Sequence, residues 1–258
     1  MSLTELLGLG AAGACAGAVN AVAGGGTLIT FPVLLLFGTT PIVANATSTL
    51  ALVIGTAGSL VGYRRQLASV KPWLARFVPV SALGGWLGSV LLTRTTDRVF
   101  GQLVPFLILF ATILFLAQGA FRRFAGFADQ GREGHPHHRA VCAAVVFQFG
   151  VALYGGYFGA GIGILMLASL GVIGLTDIHE MNALKTVLGL LINLVAALWF
   201  VANGLIDWSR AGPMTFGAMA GYFLGAHFSQ RIAQNQVRRI ITSIGFVISA
   251  VMFYRQFR

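Results

Sequence analysis

Residues 24–28 read Gly-Gly-Gly-Thr-Leu, and residues 161–165 read Gly-Ile-Gly-Ile-Leu. Each run interrupts an apolar stretch, at about 5–37 and about 141–173, that is too long for a single membrane helix. Glycine costs about 1 kcal/mol per residue in helix propensity, and a glycine cluster frees backbone amides. Such backbone is tolerated in lipid only where it is buried in protein or lines a wet cavity. We therefore expect a broken helix or a re-entrant pair at the centre of each half of the chain.

The two glycine runs belong to a longer internal repeat with a constant offset of 137 residues. Matches at glycine, alanine and leucine carry little weight in a chain so rich in them, whereas matches at asparagine, threonine and arginine carry more. A duplicated apolar unit broken by glycine is typical of secondary transporters. The matched pairs are Gly24/Gly161, Gly26/Gly163, Leu28/Leu165, Asn45/Asn182, Ala46/Ala183, Thr49/Thr186, Gly84/Gly221, Leu87/Leu224, Gly88/Gly225 and Arg94/Arg231.

Composition places the chain in a membrane. Of its 258 residues, 57% are apolar and only 9% are charged, and the mean hydropathy is +0.83. A soluble domain carries roughly 25% charged residues, so this chain cannot cover a soluble surface. The net charge of +10 comes from basic residues clustered between apolar runs, which is typical of membrane topology. We expect membrane lipid around the chain and no nucleic acid as a partner.

Each repeat divides into four apolar stretches, the first of which carries the glycine break. They cover about 5–37, 41–63, 73–92 and 99–120, and then about 141–173, 179–202, 211–230 and 237–254. The expected fold is an all-α polytopic membrane protein, with two tandem repeats of about four transmembrane segments each, or roughly 8–10 membrane segments in all. The first repeat covers residues 1–120, a polar linker covers 121–140 and the second repeat covers 141–258.

The orientation of the repeats stays open at this level. If the first stretch crosses the membrane once, the repeats are parallel. If it crosses twice, each repeat has five segments and the repeats are inverted. Both arrangements leave a similar excess of basic residues on the inside, so the charge bias does not choose between them.

The second stretch of each repeat carries a polar stripe. Asn45, Thr49 and Thr56 share one helix face because they stand at i, i+4 and i+11, and Asn182, Thr186 and Asn193 repeat the pattern. Polar side chains facing hydrocarbon are costly, so the stripe should face the bundle. Hydrogen bonding between helices and contact with a ligand both explain it.

Lys185 stands where the first repeat has Ser48, inside an apolar run. An intramembrane ammonium is expensive and indicates function, although it can also extend to the membrane interface. Helices that begin near Thr27 and Ile164 would present free amides and a positive dipole end, which suit an anion. The alternative for the glycines is close helix packing, which fits the pairs Gly84/Gly88 and Gly221/Gly225 better than the two runs.

The sequence lacks the residue patterns of an intramembrane enzyme. No GxSxG-like serine motif is present, His179 and His227 are isolated, and no acidic pair lies within a span. The histidines of the linker lack a carboxylate or cysteine pattern, so we expect no metal and no cofactor. A non-transporting membrane scaffold or accessory protein remains an alternative, although a scaffold does not need duplicated polar faces.

The run from Asn20 to Thr27, followed by Phe31-Pro32 and an apolar stretch that closes at Gly38, resembles the opening of the TauE/SafE sulfite-exporter family. Residues 44–48 and 182–186 are similar to the family's following stretches, including its lysine. The likeness covers nearly the whole chain. The second copy departs from the first, with Tyr157 replacing asparagine and Ser169 replacing proline.

The resemblance implies a transporter of the inner (plasma) membrane that exports a small sulfur-containing anion such as sulfite, sulfoacetate or a related organosulfonate. A different small anion is the alternative substrate. We expect alternating access about a site between the two halves, and an exposed apolar surface is compatible with a homodimer. The expected substrate-binding residues are Asn20, Gly24, Gly25, Gly26, Thr27, Asn45, Ser48, Thr49, Gly161, Gly163, Asn182, Lys185, Thr186 and Asn193.

Overall fold

The computed structural model describes residues 1–22, 25–57, 69–127, 138–172, 175, 178–228 and 234–256. All regular structure within these ranges is helical. The helices are α1 (Leu3–Val22), α2 (Thr27–Leu36), α3 (Pro41–Thr56), α4 (Lys71–Arg94), α5 (Asp97–Phe127), α6 (His138–Tyr157), α7 (Ile162–Val172), α8 (Ile178–Ala202), α9 (Trp208–Phe228) and α10 (Gln234–Gln256).

Four segments in the described part of the chain are long and apolar enough to cross a membrane: Leu3–Ala21, Lys71–Arg94, Asp97–Ala117 and Glu180–Ala202. The helices α2 and α3 are apolar but shorter. Large apolar side chains cover the outside of the bundle, and Phe216 and Phe223 are about three-quarters exposed. An exposed apolar surface of this kind suits contact with lipid.

Elements begin where their sequences favour a start. Helix α3 has Pro41 at its first position after Thr40, where proline's missing N–H costs nothing. The Asp97 carboxylate accepts a hydrogen bond from the Ile42 amide (3.0 Å), which caps α3 from the start of α5. Helices α5 and α6 extend into the segment expected as a polar linker, because α5 runs to Phe127 and α6 begins at His138.

Two glycine-lined seams join helices from opposite halves of the chain. Helix α1 packs along α9, and helix α4 packs along α6. In the first seam a β-carbon on Gly17 would overlap the Ala218 carbonyl, and in the second a β-carbon on Gly88 would overlap the Leu153 carbonyl. The seam residues include Gly84, Gly88, Gly221 and Gly225, which confirms the packing role expected for these pairs. Backbones meet directly because no side chain separates them.

The contacts also fix helix directions. Along the α1–α9 seam Gly13 lies against Met214 and Gly17 against Ala218, so these helices are parallel. Helices α5 and α10 are antiparallel, since Phe106 meets Phe253 edge to face (ring centroids 4.8 Å apart) while Thr112 meets Gly245. The short helices α2 and α7 are held inside this frame, with α2 against α1 and α3, and α7 against α5, α6 and α8.

Candidate functional site

The chain breaks between α1 and α2 and again between α6 and α7, at the two glycine runs. Helix α2 begins at Thr27 as expected, and α7 begins at Ile162, two residues before the expected Ile164. Gly25, Gly159 and Gly161 have φ of 92°, 82° and 80°, a region that side chains with a β-carbon rarely adopt. The glycines are therefore required by the backbone turn itself. Gly24 lies outside the described residues.

The first break is closed largely by its own half. The Asn20 side-chain oxygen accepts a hydrogen bond from the Gly26 amide (2.7 Å), and the Leu28 amide donates to the Gly25 carbonyl (3.0 Å). These bonds use amides that a helix start otherwise leaves free. Asn20 thus acts here as a cap for α2, and the partly buried Thr27 is the first residue of that helix.

Ser48 of the first half is fully buried and faces α2. Its hydroxyl lies 2.6 Å from the Thr30 hydroxyl, which also donates to the Gly26 carbonyl (3.2 Å). Thr30 is fully buried as well. Sequence reasoning did not select Thr30, although it lies three residues after Thr27 in the motif.

Asn45 connects the first half to the second break. Its side chain is 1% exposed, and its Nδ2 donates to the carbonyl of Tyr157, the last residue of α6 (3.1 Å). Its Oδ1 is buried and has no hydrogen-bond partner within the described part of the chain. Since buried polar atoms are nearly always paired, an orphaned acceptor is a feature that needs an explanation.

Lys185 lies against the start of α7. Its Cδ is 3.3 Å from the position that a β-carbon on Gly163 would occupy, and its ammonium donates to Asn182 Oδ1 (3.1 Å). The side chain is partly buried. The glycine at position 163 therefore makes room for the lysine stem, and the lysine is held beside a helix N-terminus inside the apolar bundle.

The second break thus collects residues from both halves. Asn193 Oδ1 lies 3.3 Å from the β-carbon position of Gly159, on the same break that Asn45 and Lys185 contact. Gly161 packs near Leu114 and Ala111 of α5. In the first turn of α7 the Ile164 amide donates to the Gly161 carbonyl (3.0 Å), and the amides of Ile162 and Gly163 precede the first helical bond.

Two hydroxyls of the polar stripes bond to their own helices. Thr49 donates to the Asn45 carbonyl (2.8 Å) and Thr186 to the Asn182 carbonyl (2.7 Å). Threonine commonly bonds to the carbonyl four residues earlier in a helix. What these side chains can offer a ligand is therefore acceptor lone pairs, whereas donors come from Lys185 and the amides at the start of α7.

A polar cluster at one end of the bundle was not found from sequence. Arg210 pairs with Glu5 (2.7 Å) and Asp207 (3.0 Å), and it donates to the Phe37 carbonyl (2.9 Å). Burial raises the pKa of Asp207, but hydrogen bonds from Ser209 and Arg210, with the Arg210 charge, lower it overall. The cluster ties α1, the α2–α3 connection and α9 together. Its members lie up to 205 residues apart, so no local motif marks it.

Aromatic rings cover one flank of the second break. Phe158 meets Phe31 edge to face (centroids 5.5 Å apart) and Tyr157 meets Phe100 in the same way (5.5 Å). Edge-to-face pairs at this spacing are favourable, and these rings join α2, α5 and the end of α6. Packed aromatic side chains therefore enclose the second break on this flank.

Comparison with known proteins agrees with this membrane architecture. The family model described as "Sulfite exporter TauE/SafE" matches residues 9–252. A "Probable membrane transporter protein" of Haemophilus influenzae is 29% identical over 240 residues, covering 92% of this chain and 90% of that protein. The "Probable membrane transporter protein YfcA" of Escherichia coli is 25% identical, covering 92% and 84%. The "Probable membrane transporter protein ORF9" of Sinorhizobium sp. is 27% identical, covering 93% and 87%. No solved structure matches the chain.

Proposed function

Because this chain belongs to the sulfite exporter TauE/SafE family and is a multi-pass membrane transporter, we propose that it exports a small sulfur-containing anion across the inner membrane. Sulfite, sulfoacetate and related organosulfonates are the proposed substrates. The family and its relatives are transporters by name rather than enzymes.

The transporter is proposed to consist of two homologous halves inserted in opposite orientations. Helices α1 to α5 correspond in order to α6 to α10: α4 starts at Lys71 and α9 at Trp208, which is the 137-residue offset of the repeat, while the starts of α1 (Leu3) and α6 (His138) differ by 135 residues. Helices α5 and α10, which occupy corresponding positions, run antiparallel. Inverted repeats of this kind place a site between the halves and allow one half to move against the other.

The observation that carries the proposal is Lys185 beside the N-terminus of α7. An ammonium and the first-turn amides of Ile162 and Gly163 are donors, and the helix end adds positive potential. These groups lie in a partly buried, apolar surrounding where their attraction for an anion is stronger than in water. The anion would be held there, with Asn182, Asn193 and the residues of the first half completing the site.

The driving force follows from charge. A membrane potential negative inside favours anion exit by roughly 2.3 kcal/mol per charge per 100 mV. Export by this route needs no coupling ion, whereas uptake would need one. Alternating access then requires two arrangements of the halves, one that opens the second break to the inner face of the membrane and one that opens it to the outer face.

The test is flux of radiolabelled sulfite and sulfoacetate from liposomes that contain the native chain, Lys185→Met or Lys71→Met. Methionine keeps an unbranched stem against Gly163 and removes the charge. Lys71 is the chain's other lysine and is exposed at the start of α4, so it is the matched control. A charged hydrogen bond contributes about 1.5–3 kcal/mol, so Lys185→Met should reduce flux by roughly ten- to hundredfold while Lys71→Met transports normally.

Equal flux in both variants would remove Lys185 from the mechanism. Thermal melting of each variant, measured in the same detergent, separates loss of transport from loss of folding. If the native chain transports neither anion while it remains folded, the proposed substrate class is wrong.

A further inference from the structure

The polar environment of Asn45 bears on which chemical groups the substrate carries. This inference rests on the proposed function. Asn45 Oδ1 is a buried acceptor without a partner in the described part of the chain. Its orientation is fixed because Nδ2 donates to the Tyr157 carbonyl (3.1 Å). The flipped amide would set two acceptor oxygens against each other, so the free atom of this side chain is the oxygen.

The corresponding residue of the second half is paired. Asn182 Oδ1 accepts a hydrogen bond from the Lys185 ammonium (3.1 Å). In the first half Ser48 occupies the position of that lysine, and its hydroxyl is engaged with Thr30 (2.6 Å). The chain therefore provides an N–H donor to this asparagine in one half and leaves the same acceptor open in the other.

The two sides of the second break also have opposite polarity. Asn45 contacts the C-terminal end of α6 at Tyr157, and a helix C-terminus carries partial negative charge. Lys185 lies at the N-terminal start of α7 beside Gly163, where partial positive charge adds to the ammonium. One side thus attracts a hydrogen-bond donor and the other attracts an anion.

We propose that the preferred organosulfonate substrates carry a hydrogen-bond donor, N–H or O–H, at the end away from the sulfonate group, and that Asn45 Oδ1 accepts a hydrogen bond from it. Sulfite has no such end and uses only the groups at Lys185 and the start of α7. The sulfur oxygens bind at Lys185 and the start of α7, and the donor binds at the end of α6. A second negative group at that end is disfavoured, because Asn45 Oδ1 and the helix terminus both repel it. Sulfoacetate is accordingly a weaker substrate than an amino- or hydroxysulfonate of the same length.

Four two-carbon sulfonates test this selectivity because they differ only at the far end: ethanesulfonate, 2-hydroxyethanesulfonate, 2-aminoethanesulfonate and sulfoacetate. Dissociation constants are measured on the full-length protein by ligand-dependent thermal stabilisation and by competition with sulfite flux. The hydroxyl and ammonium compounds should bind about tenfold more tightly than ethanesulfonate, since one buried hydrogen bond distinguishes them. The ratio of the dissociation constants of the hydroxyl and the ammonium compound shows whether the neutral or the charged donor is preferred.

Two substitutions at Asn45 isolate the acceptor. Asn45→Leu and Asn45→Asp both lose the Nδ2 contact with Tyr157, but only the aspartate keeps an acceptor. The preference for the donor-bearing compounds should disappear in Asn45→Leu and persist in Asn45→Asp, with a shift towards 2-aminoethanesulfonate. Asn203→Leu, at an exposed position after α8, is the control and should keep the native preference.

Several outcomes would overturn the inference. Equal binding of all four compounds to the native chain, or an unchanged preference in Asn45→Leu, removes Asn45 from substrate selection. Tighter binding that requires Na⁺ or K⁺ would mean that a cation, and not the substrate, fills the acceptor. If sulfite is transported and the four sulfonates bind equally, only this inference fails. If neither sulfite nor any sulfonate binds, the proposed function fails with it.

Discussion

The seam between α1 and α9 gives the sharpest stability prediction, at Gly221. A β-carbon there would overlap the Ala14 carbonyl and lie 2.6 Å from the Ala14 Cα. Ordinary contacts begin at 3.4 Å and the Ala14 carbonyl lies nearer than the Cα, so the two helices must separate by more than about 0.8 Å. All three nearest atoms belong to the backbone of α1, and no side chain can rotate away to accommodate the methyl group. The separation also loosens the neighbouring contacts along the seam.

Overpacking of this kind costs about 1–3 kcal/mol. For a chain of this size about 1 kcal/mol lowers the melting temperature by roughly 2–4 °C, so Gly221→Ala should melt roughly 2–12 °C lower than the native protein. The matched control is Gly150→Ala in the middle of α6, where a β-carbon meets nothing within 4 Å. That control gains about 0.5–1 kcal/mol in helix propensity, so its melting temperature should stay level or rise.

Thermal unfolding in one detergent, followed by intrinsic fluorescence, measures both variants. If Gly221→Ala lowers the melting temperature while Gly150→Ala does not, the loss of stability is not a general consequence of replacing a helical glycine by alanine. If Gly221→Ala melts at or above the temperature of Gly150→Ala, the helices do not approach as closely as described, and the seam is not what holds α1 against α9.

Three further outcomes follow from the polar contacts. Asn20→Leu removes the side-chain cap on the Gly26 amide and should cost about 1 kcal/mol of stability, read as a lower melting temperature. Arg210→Met should also lower the melting temperature, more at low salt than at high salt because its ion pairs are partly exposed, whereas Arg94→Met at an exposed helix end should not. The pKa of Asp207 is lowered from 3.8, so its carboxylate stabilises the fold above that pH. The difference in melting temperature between the native chain and Asp207→Asn should narrow as the pH falls through 3.8 and below.

Features that depend on local backbone chemistry could be predicted from the sequence. The glycine runs marked both helix breaks because no residue with a β-carbon readily adopts the φ values seen at Gly25 and Gly159. Thr27 was identified as a helix start from the end of its glycine run. The threonine hydroxyls could also have been assigned, since Thr49 follows Asn45 by four residues and such pairs bond along the helix.

Features that depend on tertiary contact could not be predicted in this way. The contact between Asn45 and Tyr157 joins residues 112 positions apart, and neither residue shows locally that it meets the other. The direction of α5 relative to α10 depends on packing at Phe106 and Phe253, whereas the loop charges were equally compatible with both orientations. Arg210 had no counterpart in the repeat, since Trp73 occupies the matching position, so the repeat pattern did not single it out.

The opposite insertion of the two halves is the premise on which alternating access rests, and cysteine labelling tests it most directly. Lys71 and Trp208 are exposed first residues of α4 and α9, and they differ by the repeat offset of 137. Single cysteines at these positions, in a chain whose native Cys15 and Cys142 are replaced by alanine, are probed with a membrane-impermeant maleimide in oriented vesicles. The two positions should label from opposite faces of the membrane. Labelling of both from the same face would contradict the inverted arrangement and the shared site built on it.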